Sequence, residues 1–577
     1  MTFRLRILFA LTSGLLGALA FPSPGLWPLG FAAWAPLFVA LHGVGRRRGG
    51  LLGLVAGWLF FALVLRWLAA LTVVGWITLS FYMASYLALF GALSATLLGR
   101  DRTYARIAIP AAWVALEWVR SWLFTGFGWA ALGQTLAAEP ALIQAASTGG
   151  VWVLSLAVVS TNLALARAWL AVRRRDWRAA ATPLVVAVAI PAGLAIYGLA
   201  VLAAANPQSS IRVAAIQGDI APTEKWTKRG AYTALQRHAD LTSQAVAAQL
   251  VGPDLVLWPE TAIPVPVQDG RGLSARARGI RRFVREVWKV PLLFGVPERV
   301  PARWPGPDGT ASRPKPDRVR FWNSAVLYHP DDRIAAPYRK RRLVPFGEYQ
   351  PALFDFLPRV LSGPEFVPGD GGGPFRIAAA GAAVVDIGVL ICFEDVFAEE
   401  AIARAGSANL LAVMTNDAWF SYSGRAQHVQ IAVLRAVETG RSVVRAANTG
   451  ISALIDAQGR MVAQAPEGPG FVLGDLSIDS HRTRFAAAPD VVPMLAMAGM
   501  LSALAAGLLV QRPSRLRSSS AMDIDPCKET RIPSPGACQR AEDSSSIMHC
   551  SSSGSARLLS IGMTSSAWAT FLDTTRV

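Results

Sequence analysis

Two apolar runs in the second half of the chain each end at a side chain that could perform proton transfer or nucleophilic chemistry. The run at 255–258 stops at Pro259 and delivers Glu260, and the run at 389–391 ends at Cys392. A carboxylate at the end of a buried strand, beside an aromatic ring, can act as a general base. A thiol is only a few per cent ionised at neutral pH, so a nucleophilic cysteine needs a nearby base or cation. Each residue alone is better explained as a loop glutamate or a small buried cysteine, so the neighbouring motifs must decide between these explanations and catalysis.

A basic segment between these two runs supplies a candidate cation. Lys340 lies in the sequence YRKRRLVPFGEYQP, eight residues before Glu348. A lysine held by a glutamate can direct a fixed positive charge at a developing oxyanion, and such a donor contributes on the order of 3 kcal/mol in the transition state. A basic run on its own is more often a solvated surface. Together with Glu260 and Cys392, however, Lys340 completes a set of base, cation and nucleophile.

The elements that must position these residues are short apolar runs that alternate with helical patterns from Ile211 onward. Strands interleaved with helices are typical of a layered α/β domain. The predicted strands begin near residues 211, 254, 291, 324, 382, 409, 443, 451 and 471, and helices are predicted near 229–250, 272–288 and 425–440. We therefore predict an α/β domain at 206–482.

The rest of the sequence is unusually apolar. Over the whole chain 53% of residues are hydrophobic and only 16% are charged, whereas soluble domains have roughly 25% charged residues. A membrane-spanning helix needs about 20 apolar residues. Stretches of this kind lie at about 5–21, 26–44, 51–69, 72–98, 106–124, 141–171, 182–204 and 490–511. We predict an α-helical bundle of eight transmembrane spans, with a seven-span domain at 1–205 and the eighth span at 483–511.

Arginine clusters predict how these spans are oriented. Positive residues follow spans two, four, six and eight, whereas the loops near 22–25 and 125–140 have almost none. Because short loops rich in arginine and lysine stay in the cytoplasm, we predict that both termini are cytoplasmic and that 206–489 lies on the far side of the membrane. Within the fifth span Glu117 and Arg120 share one helical face, and we interpret them as a structural pair near the end of the span.

Several classes of function lack their sequence signatures. Many arginines behind the net charge of +18 lie between apolar runs, with no zinc-finger, RNP or basic-helix pattern, so no nucleic-acid partner is expected. No GxSxG, HExxH or P-loop motif occurs, so we expect neither a serine hydrolase nor a metal or other cofactor. Three of the four cysteines lie in the last stretch of the chain, which excludes a disulfide framework for the core. His428 could support a Cys-His dyad, but such a residue is more often found satisfied at the start of a helix.

Five motifs together resemble those of the nitrilase superfamily. They are WPETAIP, YRKRRLVPFGEYQP, ICFED, TNDAWF and RAANTGISALID. With the membrane frame, over about residues 5–511, they are similar to its membrane-embedded branch, the bacterial apolipoprotein N-acyltransferases. The resemblance implies an α-β-β-α sandwich, with Glu260 as general base, Lys340 as oxyanion stabiliser and Cys392 as nucleophile. It also implies two supporting carboxylates, Glu348 and Glu394. The substrate-binding aromatic residues that it implies are Trp226, Phe393 and Trp419. Phe393 stands where the family often has tyrosine.

The reaction implied by this resemblance is a two-step transfer of a fatty acyl chain through a cysteine thioester. The donor is a membrane phospholipid, phosphatidylethanolamine by resemblance, and the acceptor is the N-terminal amine of a diacylglyceryl-cysteine apolipoprotein. The expected setting is a monomer in the bacterial cytoplasmic (inner) membrane, with its catalytic domain in the periplasm. The alternative is a membrane-anchored amidase of nitrilase type that hydrolyses a small amide.

Two further segments have distinctive compositions. Residues 351–363, directly after Glu348, are unusually apolar for a surface loop, and we hypothesise that they dip into the bilayer and guard lipid entry. Residues 512–577 are rich in serine and have little periodicity, which predicts a disordered cytoplasmic tail that is not needed for activity.

Overall fold

The structure, a computed structural model, describes most of the chain up to residue 509. The described residues are 1–98, 104–206, 209–266, 268–269, 272–301, 319–351, 364–379 and 384–509. The apolar loop at 351–363, apart from its first residue, and the tail at 512–577 lie outside these ranges.

Apolar helices dominate the first 206 residues. They are α1 Phe3–Leu19, α2 Ala35–Leu41, α3 Arg46–Val64, α4 Val73–Leu98, α5 Ala105–Trp122, α6 Pro140–Ile143, α7 Ala146–Arg173 and α8 Trp177–Ala204. Among the described residues, α3, α4, α7 and α8 are long and apolar enough to cross a membrane, and shorter apolar helices lie at Trp27–Leu41 and Val491–Ala505. The helices therefore support a membrane protein, with four candidate spans rather than a clear set of eight.

The span predicted at 26–44 is not one continuous helix. A 3-10 turn at Trp27–Phe31 is followed by α2, and a proline lies in the first turn of each segment. Proline is favoured at the start of a helix, but it removes a backbone hydrogen bond from the interior of one. Asn162 of α7 supplies the acceptor that the backbone lacks at this break. Its Oδ1 accepts hydrogen bonds from the backbone N–H groups of Trp34 (2.7 Å) and Ala35 (3.1 Å).

A buried charged pair in α5 holds the loop that follows this helix. Arg120 donates hydrogen bonds to the carbonyl groups of Trp129 (2.6 Å) and Ala130 (3.0 Å), and its guanidinium lies 3.9 Å from Glu117. Glu117 Oε1 accepts a hydrogen bond from the backbone N–H of Leu132 (2.9 Å). These contacts support the interpretation of Glu117 and Arg120 as a structural pair.

Strands and helices alternate through the α/β part. The strands are β1 Ser210–Gln217, β2 Leu255–Leu257, β3 Gln268–Asp269, β4 Gly272–Leu273, β5 Leu292–Arg299, β6 Arg320–Tyr328, β7 Tyr338–Arg339, β8 Glu365–Phe366, β9 Phe375–Ala378, β10 Val384–Ile391, β11 Leu410–Thr415, β12 Ser442–Ala447, β13 Ala453–Ile455, β14 Met461–Gln464 and β15 Gly470–Ser477. The helices are α9 Pro222–Lys225, α10 Lys228–Ala247, α11 Ala275–Phe283, α12 Ala398–Ala405, α13 Tyr422–Thr439 and α14 Arg484–Ala487, followed by the apolar helix α15 Val491–Leu509. Each strand predicted from the sequence is observed, whereas the short strands β3, β4, β7, β8, β9 and β14 were not predicted.

The strands form two main sheets. The first has the order β15-β1-β2-β5-β6-β7, with β8 paired to β6, and the second has the order β14-β13-β12-β11-β10-β9. In the second sheet β10, β11 and β12 are parallel neighbours. Parallel neighbours have their carboxyl ends at the same edge of a sheet. The residues that follow β10, β11 and β12 are therefore brought together there.

Three hydrophobic clusters connect the layers. One contains residues of both sheets, such as Leu257 and Val389, and another joins the outer face of the first sheet to α10 and α11. The third includes Leu434 of α13 together with Trp34 of the membrane helices. The α/β part and the apolar helices thus share a continuous core, which fixes the end of β10 relative to the membrane helices.

Candidate active site

Cys392 lies at the end of β10, where the strand turns into a short 3-10 helix. Its φ of 52° is in the left-handed region, which non-glycine residues adopt rarely and which is over-represented at active sites. The side chain is partly exposed. Its enclosed surroundings raise the pKa of the thiol well above its ordinary value, the Glu260 carboxylate adds to this effect, and Lys340 opposes it.

Lys340 and Glu260 form one buried charged cluster with Glu348. Lys340 is fully buried, and its Nζ lies 2.9 Å from Glu348 Oε2 and 3.5 Å from Glu260 Oε1. Burial works against the charge of Lys340, but Glu348 and Glu260 outweigh it and hold the pKa of the lysine above its ordinary value. The ammonium group is therefore a fixed positive charge beside both carboxylates.

Asn323 of β6 joins the two carboxylates and was not predicted. Its Nδ2 donates hydrogen bonds to Glu260 Oε1 (2.6 Å) and Glu348 Oε1 (2.9 Å). In the sequence Asn323 is simply a polar residue before an apolar run. This pattern is equally typical of a strand that begins at the surface, so it does not indicate a site residue. Gly295 of β5 permits the turn at Glu260, because a Cβ there would lie 2.8 Å from the Cα of Glu260.

Glu394 ties the cysteine turn to the lysine segment. Its Oε2 accepts hydrogen bonds from the Ile391 backbone N–H (2.8 Å) and the Tyr338 hydroxyl (2.9 Å), and its Oε1 accepts one from the Arg341 backbone N–H (2.7 Å). Ile391 directly precedes Cys392, and Arg341 directly follows Lys340. Burial raises the pKa of Glu394 to about 7, although the two backbone N–H groups lower it. One carboxylate thus holds both candidate residues in place.

A second buried network lies behind Cys392. His428 of α13 is 2.8 Å from Asp417 Oδ1 through Nδ1 and 2.8 Å from Asp395 Oδ1 through Nε2. Arg445 Nη2 donates to Asp417 Oδ2 (2.7 Å), and Thr415 donates to Asp417 Oδ1 (2.7 Å). Because both ring nitrogens of His428 face carboxylates, the histidine does not serve as the partner of Cys392, and the Cys-His alternative finds no support.

The protonation of His428 predicts a specific dependence of stability on pH. Burial alone would lower the pKa of His428, but Asp395 and Asp417 raise it to about 9, against about 6.5 in an unfolded chain. The protonated form therefore stabilises the fold below pH 6.5, and this contribution, on the order of 3 kcal/mol, is lost as the pH rises towards 9. We expect the melting temperature of the wild type to exceed that of a His428→Gln variant by a margin that shrinks between pH 6 and pH 9. A margin that does not change with pH would contradict this assignment.

Of the three aromatic residues predicted to bind substrate, the two tryptophans are exposed and Phe393 directly follows Cys392. Trp226 and Trp419 are exposed by 45% and 40%. The ring of Phe393 lies 5.1 Å from that of Phe397 and 6.5 Å from that of Phe127, which belongs to the loop after α5. Phe393 thus faces the junction with the membrane helices, and the two tryptophans offer apolar surface to solvent.

Two family descriptions match successive parts of the chain. The apolipoprotein N-acyltransferase N-terminal domain matches residues 13–164, and carbon-nitrogen hydrolase matches residues 212–484. Among solved structures, Saccharomyces cerevisiae Nit3, a member of branch 10 of the nitrilase superfamily, is 20% identical with a TM-score of 0.35, covering 51% of this chain and 95% of that one. An amidase from Nesterenkonia sp. is 21% identical with a TM-score of 0.33, covering 47% and 91%.

Full-length relatives cover both parts of the chain together. The apolipoprotein N-acyltransferase of Geobacter metallireducens is 35% identical over 526 residues, which are 88% of this chain and 96% of that protein. Two further enzymes of the same name are similar to this chain over comparable lengths. That of Azotobacter vinelandii is 33% identical, covering 80% of this chain and 87% of the relative, and that of Chlorobaculum tepidum is 31% identical, covering 86% and 96%. The chain therefore belongs to the apolipoprotein N-acyltransferase family.

Proposed function

We propose that this N-acyltransferase moves a fatty acyl chain from a membrane phospholipid, through a thioester on Cys392, to the N-terminal amine of diacylglyceryl-cysteine apolipoproteins. The observation that carries the proposal is the buried cluster of Glu260, Lys340 and Glu348, whose Glu260 and Lys340 act electrostatically on the Cys392 thiol. Family membership supports the reaction class. Phosphatidylethanolamine is the proposed donor, and no cofactor is required.

In the first step Glu260 takes the proton of the Cys392 thiol, and the thiolate attacks the ester carbonyl carbon of the phospholipid. The oxyanion that forms is stabilised by the ammonium group of Lys340. The ester C–O bond then breaks, Glu260 gives its proton to the departing oxygen, and lysophospholipid leaves with a free hydroxyl. The acyl group remains on Cys392 as a thioester.

In the second step the uncharged N-terminal amine of the apolipoprotein attacks the thioester carbonyl. Glu260 takes a proton from the amine, the C–S bond breaks, and Glu260 returns the proton to the Cys392 thiolate. The product is an amide, and the free thiol is restored. Asn323 and Glu348 hold Glu260 and Lys340 during both steps, and Trp226, Phe393 and Trp419 are proposed to contact the lipid chains.

The proposed architecture places this chemistry beside the bilayer. We assign a seven-span membrane domain to 1–205, a periplasmic catalytic domain to 206–482, an eighth span to 483–511 and a cytoplasmic tail to 512–577, in a monomer of the cytoplasmic membrane. The four candidate spans and the apolar helices at the remaining predicted positions support this arrangement. The core shared by the two sheets supports an α-β-β-α sandwich.

The acceptor specificity can be tested directly with purified enzyme in phosphatidylethanolamine vesicles. We expect a diacylated lipopeptide with a free amine to gain one acyl chain, and the same lipopeptide with an acetylated amine to remain unchanged, because only a free amine can attack the thioester. The products are measured by mass spectrometry. Hydrolysis of small amides without acyl transfer to the lipopeptide would instead identify an amidase.

A further inference from the structure

Lys225 is a second buried lysine that the steps above do not use. It ends the short helix α9 and is 1% exposed, whereas its neighbours Glu224 and Trp226 are exposed. Lysine is almost never fully buried unless it is paired. Its Nζ donates a hydrogen bond to the backbone carbonyl of Glu260 at 3.2 Å, and in the described part of the chain it forms no ion pair with a carboxylate, unlike Lys340.

The segment that carries Lys225 is anchored over the strand ends that form the site. The backbone N–H of Asp219 donates to the Asn448 carbonyl (2.6 Å), and the Asn448 side chain donates to the Ile220 carbonyl (2.8 Å) and to Asn416 Oδ1 (3.0 Å). Asn416 and Asn448 directly follow β11 and β12. β11 pairs with β10, the strand that leads to Cys392, and β12 pairs with β11. Lys225 is therefore buried next to the residues that form the acyl-transfer site.

The pKa of Lys225 is affected by the two groups that exchange a proton in the first step, Glu260 and Cys392. Burial lowers the pKa of Lys225 to about 8, while the charges of Glu260 and Cys392 act in the opposite direction. The lysine is therefore mostly charged at neutral pH, and it is coupled to the proton donor and the proton acceptor of the first step.

The charge balance of the site gives this lysine a role. Before proton transfer, Glu260 and Glu348 carry two negative charges, which Lys340 and Lys225 match. After transfer from Cys392 to Glu260, the thiolate replaces the Glu260 carboxylate, and the two lysines still match two negative charges. Within this group, loss of Lys225 would leave only Lys340 opposite two negative charges in either state, and uncompensated buried charge is unfavourable.

We propose that Lys225 is a positioning lysine of the acyl-transfer site, which holds the Glu260 backbone and supplies the second positive charge that stabilises the Cys392 thiolate. The inference rests on the proposed function, since it assigns a residue to the first step of that reaction. Lys225 acts through Glu260 and Cys392 and is not itself assigned to the transferred acyl group.

The pH dependence of Cys392 alkylation tests this role without requiring acyl transfer. The full-length protein is treated with iodoacetamide between pH 6.5 and pH 10, and modification of the Cys392 peptide is followed by mass spectrometry. The variants are Lys225→Met, which removes the charge, Lys225→Arg, which keeps it, and Lys228→Met as a matched control, because Lys228 is an exposed lysine three residues away.

We expect Cys392 of Lys225→Met to be alkylated about tenfold more slowly than that of the wild type at pH 7, where Lys225 is charged, and the difference to shrink towards pH 10, where Lys225 is neutral. The rate of acyl-thioester formation at pH 7 should also fall about tenfold. Lys225→Arg should stay near the wild type at pH 7, and Lys228→Met should match it. Equal alkylation rates at pH 7 for Lys225→Met and the wild type would overturn the proposal. If the methionine variant does not fold, Lys225→Gln, which keeps a hydrogen-bond donor without the charge, replaces it. Failure of the proposed function would give a different result. The wild type would then form no acyl thioester, while Lys225→Met would still differ from the wild type in Cys392 alkylation.

Discussion

Replacing Cys392 by alanine is expected to abolish acyl transfer, with a loss of about 10⁶-fold in the rate of product formation. Alanine has no group that can carry the acyl chain, so both steps are removed together. The fold should persist, because alanine is smaller than cysteine and has the same Cβ constraint at the positive φ of this position. The measurement is the initial rate of lipopeptide acylation in phospholipid vesicles, together with the melting temperature of the variant.

A matched control uses the other three cysteines. The triple variant Cys527→Ser, Cys538→Ser, Cys550→Ser retains Cys392 and is expected to transfer acyl chains at the wild-type rate, because these residues belong to the serine-rich tail. Substantial transfer by Cys392→Ala, or its loss in the triple variant, would mean that the nucleophile has been assigned to the wrong residue.

Replacing Lys340 by methionine is expected to slow acyl-thioester formation by about 10²–10³-fold, which is the usual effect of removing one oxyanion donor. The same change leaves Glu260 and Glu348 without the cation that lies 3.5 and 2.9 Å from them. Breaking a buried ion pair in this way destabilises a fold by about 3–5 kcal/mol. Single-turnover acylation and thermal unfolding therefore both change.

A double variant separates the two consequences of losing Lys340. Lys340→Met combined with Glu348→Gln removes one of the two carboxylates that are left without their cation, so the melting temperature should partly recover while acylation stays slow. If acylation recovers together with stability, Lys340 has a structural role only. The exposed Lys228→Met serves again as the control for removing a lysine.

The positions of Glu260 and Cys392 could be predicted because each follows a run of apolar residues that forms a buried strand. A run such as 389–391 indicates where its strand ends, and the end of a strand is where the next side chain becomes available to a substrate. The same reasoning located nine strands and the apolar helices. It did not locate the 3-10 turn within 26–44, because the tertiary hydrogen bonds that the backbone N–H groups at this break donate to Asn162 leave no local pattern.

Other residues that support the site, such as Asn323 and Arg445, could not be predicted, since they come from distant parts of the sequence. Asn323 contacts Glu260 across 63 positions, and Arg445 contacts Asp417 through the pairing of β11 with β12. A polar residue inside a strand is indistinguishable, in sequence, from one that faces solvent. Lys225 illustrates the limit most clearly, because the segment PTEKW is typical of an exposed helix start and its lysine is nonetheless buried.

The most direct test of the account is the mass of the Cys392 peptide after incubation of the enzyme with phosphatidylethanolamine and no acceptor. We predict that this peptide gains the mass of one fatty acyl chain, that hydroxylamine removes the added mass, and that a diacylated lipopeptide discharges it with formation of an equal amount of acylated product. Transfer to the lipopeptide while Cys392 never carries an acyl group would contradict the thioester route and the role given to every residue around it.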